Sequence, residues 1–182
     1  MILSDFDIMN MVKSGRMSIK PFAKDIIREN GADFRLANEI ARHVAPEKDF
    51  VLDPTDKKAV ENSYKIEKNK KELIINSHEQ VLLSTYETIS MPDDVAGFVE
   101  LRSTWARHGL SMPPTVIDAG FKGTVTLEVF NNAPYGIKLK PGLGFAHIIF
   151  IKTSSKVASA YSGIYQNQNG IHLPKVISKP KH

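Results

Sequence analysis

Cysteine is absent from the 182 residues, which rules out disulfides and every metal site built on thiolates and suits a reducing compartment. No apolar run approaches the length of about 18 residues that a membrane-spanning helix needs. The beginning of the chain lacks a basic region followed by an apolar core and a small-residue cleavage site. A soluble, unprocessed, cytoplasmic protein with no membrane partner is therefore expected. Glycine-rich phosphate loops, dinucleotide fingerprints and internal repeats are also missing. The six histidines, His43, His78, His108, His147, His172 and His182, include no i, i+4 pair and none close to a second ligand type, so no histidine-held metal is expected. His147 lies in an apolar run and reads as a satisfied core or interface histidine.

What is present is globular. Hydrophobic residues make up 42% and charged residues 24% of the chain, and a length of this order buries a core as one domain, 1–182. The net charge of +4 and pI near 9.2 would suit nucleic acid, but the lysines are dispersed over 65–71 and the 175–181 tail rather than gathered into a basic face. No nucleic-acid partner is expected.

Ser4 with Asp7 three residues on, then Ile8, Met11 and Val12 before Gly15, predicts one short N-terminal helix. Residues 17–21 alternate weakly and suggest a first strand. From 22 to 44 the apolar pattern fits helix or strand. Pro46, Asp53, Pro54 and the charged run from Asp56 to Lys71 read as surface loops or a lid. Short runs rich in β-branched residues follow at 73–75, 80–85, 95–101, 137–140 and 145–151, separated by turn clusters such as Asn76-Ser77. Many short strands at such spacing predict a mainly β sandwich or barrel.

The chemistry concentrates between 101 and 131. Arg102, Ser103, Thr104 and Arg107 fall within six residues. If Ser103 or Thr104 caps a short helix, free N–H groups and two guanidinium groups converge on one point that suits an anion. Next comes a turn, Asp118 to Gly123, and then alternation: Val125, Leu127 and Val129 on one face, Thr124, Thr126, Glu128 and Phe130 on the other. One carboxylate thus sits at the turn, and a second on the polar face of the strand.

Three ordered motifs, Arg102-Ser-Thr-Trp-Ala-Arg-x-Gly-Leu110, Ile117-Asp-Ala-Gly-Phe-x-Gly123 and Thr126-Leu-Glu-Val-x-Asn131, resemble the dCTP deaminases of the dUTPase-like superfamily. The likeness extends to Ile2-Leu-Ser-Asp-Phe-Asp-Ile8, to Asn30-Gly-Ala-Asp-Phe-Arg-Leu36 and to the tail Tyr161-Ser-Gly-Ile-Tyr-Gln-Asn-Gln168. It implies a dUTPase-like distorted β-barrel or jelly roll with a short N-terminal helix and few others, and a strand over 32–36. It also implies a homotrimer whose sites are shared between chains, with residues 160–182 a tail that is loose without ligand and closes over a neighbouring subunit's site. Only the segment from about 45 to 70 has no counterpart.

The activity so implied is hydrolytic deamination of dCTP to dUTP and ammonia, within pyrimidine deoxynucleotide biosynthesis. Zinc-dependent nucleobase deaminases use a Cys-x-x-Cys pair, so here water must be activated without zinc. Resemblance gives Glu128 the role of base and acid, and Ser103 and Arg107 the positioning of water and base and the stabilisation of charge. Asp118 would hold the sugar 3′-hydroxyl and Phe121 exclude a 2′-hydroxyl. Arg102, the backbone near Ser103 and the tail would take the triphosphate, with Mg²⁺ bridging its oxygens. Thr104, Trp105, Ala106, Thr126, Leu127, Tyr161 and Gln168 complete the expected nucleotide contacts, although Trp105 reads first as packing. Two departures stand out. Met112-Pro-Pro114, in a shortened 108–117 segment, replaces a histidine-containing stretch tied to dTTP feedback, and Ile164 stands where many tails carry a phosphate-binding lysine. The alternatives are a bifunctional deaminase and dUTP diphosphatase giving dUMP, a plain dUTPase, which needs no glutamate at 128, and a dNTP-sensing binding protein without turnover.

Overall fold

The computed structural model describes residues 1–177; the end of the expected tail, with Lys179, Lys181 and His182, lies outside the described residues. Helix α1 (Asp5–Lys13) begins at Ser4, whose hydroxyl accepts from the Asp7 N–H while the Asp7 carboxylate accepts from the Ser4 N–H. Two N-terminal donors are thereby satisfied, and Ile8 and Met11 are buried as the sequence pattern predicts.

The strands run in the order β1 (Ser18–Lys20), β2 (Ile27–Arg28), β3 (Gly31–Arg35) and β4 (Ile40–His43). Helix α2 (Lys57–Asn62) and β5 (Tyr64–Glu67) follow, then β6 (Leu73–Ile75), β7 (Gln80–Ser84), β8 (Thr88–Ser90) and β9 (Val95–Leu101). After helix α3 (Ser103–Arg107) come β10 (Leu110–Ser111), β11 (Thr115–Ile117), β12 (Lys122–Gly123), β13 (Thr126–Asn131), β14 (Ile137–Leu139) and β15 (Gly144–Lys152). They form two five-stranded sheets, β10-β13-β7-β4-β5 and β11-β9-β15-β3-β2, with a three-stranded sheet β1-β8-β12 and a β14-β6 pair. The mainly β architecture with few helices is the one expected.

One apolar cluster takes side chains from both large sheets. Phe34, Phe145 and Phe150 of one and Leu83 and Leu127 of the other are fully buried within it. In β13 the predicted alternation holds, with Leu127, Val129 and Asn131 buried and Thr126, Glu128 and Phe130 half-buried on the other face. The ambiguous 22–44 stretch resolves as strands: β3 lies between β15 and β2, where Phe34 goes into the core.

The run from 56 to 71 differs from the loop or lid expected of it. Asp56 caps α2 through the N–H groups of Lys58 and Ala59, and β5 pairs with β4 from Ile40↔Glu67 to His43↔Tyr64. Charge density hid both elements, because an edge strand and a short helix each bury few side chains; here Val60 is the buried one in α2. No helix among the described residues is long and apolar enough to cross a membrane.

Phe150→Ala, which removes a fully buried ring where the two sheets meet, is expected to cost about 3–5 kcal/mol. The drop in denaturant midpoint at unchanged slope measures it.

Candidate active site

A cavity of about 400 Å³ opens against the outer face of the β10-β13-β7-β4-β5 sheet. Thr126 and Glu128 of β13, Gln80 and Leu82 of β7 and Tyr64 of β5 line one side, Asp118 and Phe121 another. Thr115, Val116, Ile117 and Val125 line it as well, and the tail contributes Tyr161, Tyr165, Gln168, His172 and Pro174. Glu128 is directly opposed to Leu82 across β13 and β7, a hydrophobic neighbour that offers its carboxylate nothing. Burial pushes the Glu128 carboxyl up, and only a hydrogen bond to its own backbone pulls the other way. A carboxyl raised by desolvation in a pocket is suited to take up and give back a proton near neutral pH.

The turn before β13 is shaped for a close approach by the tail. The Phe121 N–H donates to the Asp118 carbonyl, and Gly120 at φ +87° would bring an added Cβ to 2.6 Å from Ala160 Cβ. Glycine is required twice over, by the left-handed backbone and by the contact. The Tyr161 N–H then donates to the Ala119 carbonyl at 2.9 Å. Phe121 is buried against the Tyr161 ring, with centroids 5.8 Å apart.

Further along the tail, the Gln168 amide donates to the Thr124 carbonyl, so this buried side chain clasps the tail while lining the pocket. The Ile171 N–H donates to the buried Glu39 carboxylate and the His172 N–H to the Thr126 hydroxyl. The Ile177 N–H donates to the Pro54 carbonyl. These bonds seat the tail against the pocket lined by Thr126 and Glu128. Ile164 is exposed.

Of the expected site residues, the pocket gathers Asp118, Phe121, Thr126, Glu128, Tyr161 and Gln168. Arg102, Ser103, Thr104, Trp105, Ala106, Arg107 and Leu127 do not line it. The Leu127 side chain is in the core because strand alternation turns it away from Glu128. Neither Ser103 nor Thr104 caps α3; Arg102 occupies that position and makes no side-chain capping bond. Its guanidinium turns to Asp33, 3.3 Å away, and to the Gly144 carbonyl at 3.1 Å. Trp105 packs on Phe145 and donates its indole N–H to the same carbonyl, the packing role. Ser103, Thr104, Ala106 and Arg107 are exposed.

Asp33 is the hub of that second cluster. It accepts from Arg28 at 2.8 Å and meets His147 Nδ1 at 2.8 Å besides Arg102, so His147 is satisfied as expected. Burial raises the Asp33 carboxyl, but His147, Arg28 and Arg102 outweigh it and hold it below the ordinary carboxylate range.

Sequence reasoning passed over Tyr64, Leu82, Tyr165 and His172 as lining residues. Tyr165 stands inside the quoted tail motif, whereas Tyr64 falls in the segment without a counterpart and gave no signal.

A family profile described as dCTP deaminase-like matches residues 2–153. The chain belongs to that family. Relatives named dCTP deaminase include one from Sulfurisphaera tokodaii, 45% identical over 175 residues that cover 96% of this chain and 92% of the relative. Another, from Hyperthermus butylicus, is 43% identical over 177 residues, 96% of this chain and 99% of the relative. Among solved structures, the 2′-deoxycytidine 5′-triphosphate deaminase of Agrobacterium tumefaciens superposes with a TM-score of 0.64 at 17% identity. That match covers 82% of this chain and 46% of the other, and it bears out the jelly-roll-like fold expected of this dCTP deaminase family member.

Asp33→Asn is expected to lower the melting temperature at pH 7. A carboxylate whose folded pKa lies below its unfolded value stabilises fully above the unfolded value, near 3.9, and loses that contribution as pH falls through the folded one. The difference in melting temperature from the unsubstituted protein should therefore narrow toward pH 3; one that stays constant would separate Asp33 from this charge network.

Proposed function

We propose that this chain deaminates dCTP hydrolytically to dUTP and ammonia, with Glu128 as the group that carries the proton. The observation behind this reading is a half-buried glutamate, raised by desolvation, in the same pocket as the Asp118–Phe121 turn. Glu128 takes a proton from water as the oxygen attacks C4 of the cytosine, and returns it to the amine nitrogen as the C4–N bond breaks and ammonia leaves. The carboxylate ends the cycle as it began, so one side chain serves as base and then as acid. Asp118 is exposed at the mouth and suited to a sugar hydroxyl, while buried Phe121 gives the deoxyribose an apolar floor with no partner for a 2′-hydroxyl.

Ser103 and Arg107 act in this reading from a neighbouring copy, where they steady the water and the charge that develops on the base. Their exposure on α3, outside their own chain's pocket, supports that arrangement. So does an apolar row on the outer face of the other sheet, where Val116, Phe98 and Ile149 stand in register, the first two exposed, available to a second and third copy of a homotrimer. In this reading α3 crosses between chains in the shared site, and the tail, residues 160–182, closes over it. Mg²⁺ would come with the triphosphate and offset its charge; the described residues offer no group of three or more ligating side chains for it. The chemistry needs only water and nucleotide, so a cytoplasmic setting suits it.

Asp118 in the same pocket also keeps open a second turnover, from dUTP to dUMP. The deciding experiment is product analysis of the purified protein with dCTP: ammonia without pyrophosphate is expected. Ammonia with pyrophosphate would make the enzyme bifunctional, and neither would reduce it to a binding protein. Glu128→Gln should keep nucleotide binding and lose ammonia release, because an amide cannot accept the proton of the water; near-normal turnover would remove Glu128 from the chemistry. CTP should be deaminated at least tenfold less efficiently than dCTP in kcat/KM, in line with about 1–3 kcal/mol for one misfitted group in an apolar pocket. Equal values would displace the sugar from Phe121.

A further inference from the structure

Tyr64 opens β5, in the segment that the family resemblance leaves without a counterpart. Residues directly opposed across antiparallel strands share a face, so Glu128, Leu82, Ala41 and Ile66 form one row across β13, β7, β4 and β5. Tyr64 is two residues from Ile66 and therefore on the same face as Glu128. Its ring packs, tilted at 42°, on that of His43, its register partner, with centroids 4.5 Å apart, which braces the side chain against the sheet. Lys65 and Ile66, its neighbours on this edge strand, are exposed. Tyr64 instead is half-buried and lines the cavity with Leu82 and Glu128.

We propose that Tyr64 is a positioning residue for the deamination, its ring closing the pocket beside Glu128 and keeping bulk water off the carboxylate. This rests on the reading of Glu128 as the base. The Tyr64 phenol is pushed up first by burial and then by the Glu128 carboxylate. It stays neutral through the physiological range and adds no charge beside the base. Asp118 from the turn and Tyr161, Tyr165 and His172 from the tail line the same cavity, and a neighbouring copy's Arg107 would face it in a shared site. His43 packs on the Tyr64 ring itself and keeps that contact in Tyr64→Phe but not in a truncation, so each truncation is paired with His43→Asn to separate the ring from the imidazole.

The test follows the Glu128 carboxyl carbon by NMR in the ligand-free protein, its resonance assigned by its loss in Glu128→Gln, together with the pH profile of kcat/KM for dCTP. Tyr64→Phe keeps the ring and should leave the titration and the acid limb in place. Tyr64→Thr keeps strand propensity but admits water, and should move both toward acid by about one pH unit. Tyr64→Val is the second truncation should the threonine variant fail to fold. An unmoved Glu128 titration in a folded truncation overturns the proposal, as does an equal shift in Tyr64→Phe, which would assign the effect to the hydroxyl. A titration that moves in a protein releasing no ammonia from dCTP, substituted or not, leaves the wall standing and overturns the deaminase reading.

Discussion

The period of two along β13 holds the site in place. Leu127 and Val129 are completely buried on either side of Glu128, so the register of the strand is fixed by the core rather than by anything in the pocket. A slip of one residue would drive a carboxylate into the apolar cluster and expose both aliphatic side chains, each worth about 1.5–3 kcal/mol when buried. Glu128 therefore stays in a half-buried place that its own solvation disfavours. The hydrophobic core supplies the free energy that keeps a desolvated acid where a reaction can use it.

A second constraint acts on the other large sheet. Gly144 begins β15 beside an irregularity in its pairing with β3, and its carbonyl receives both the Arg102 guanidinium and the Trp105 indole. A Cβ on Gly144 would stand 2.6 Å from the Arg102 Nη1. Asp33 ties the same guanidinium to Arg28 and His147. Such a buried carboxylate shared by two guanidinium groups and an imidazole contributes little net stability over an apolar replacement, yet losing one member leaves the others uncompensated. Its effect is to fix the direction in which α3 leaves the sheet, and so where Ser103 and Arg107 are presented.

Much of this was legible in the residues, for reasons that can be named. Ser4 with Asp7 gave α1 because a capping box is a local interaction, and the alternation from Val125 to Phe130 gave β13 because one face is apolar throughout. The roles of Arg102 and Trp105 were harder to read, since both are decided by a carbonyl 42 and 39 residues away. Arg102 reads in one dimension as half of an anion site; its ion pair with the buried Asp33 of β3 is a partner that spacing along the chain does not reveal. The charged run from 56 to 71 concealed α2 and β5 for a related reason. An edge strand exposes most of its side chains, so composition reported solvent where the fold has a wall.

That wall and the tail answer the same requirement from opposite sides. Desolvation raises Glu128 only as long as water is kept out, yet a nucleotide must enter and ammonia must leave, so the cover has to open on at least one side. Tyr64 belongs to a paired strand and is braced by His43. The tail is held by hydrogen bonds spread along it, from Tyr161 to Ala119, Gln166 to Gly120, Asn167 to Lys122, Gln168 to Thr124, Ile171 to Glu39 and His172 to Thr126, each worth about 0.5–1.5 kcal/mol net. Segments with few buried apolar contacts open at lower free energy than core strands. Opening at the sheet edge would break the β4–β5 ladder from Ile40↔Glu67 to His43↔Tyr64, whereas the tail is joined to a strand by the single Gly123↔Gln168 bridge, so parting the tail disrupts less strand pairing than parting the edge.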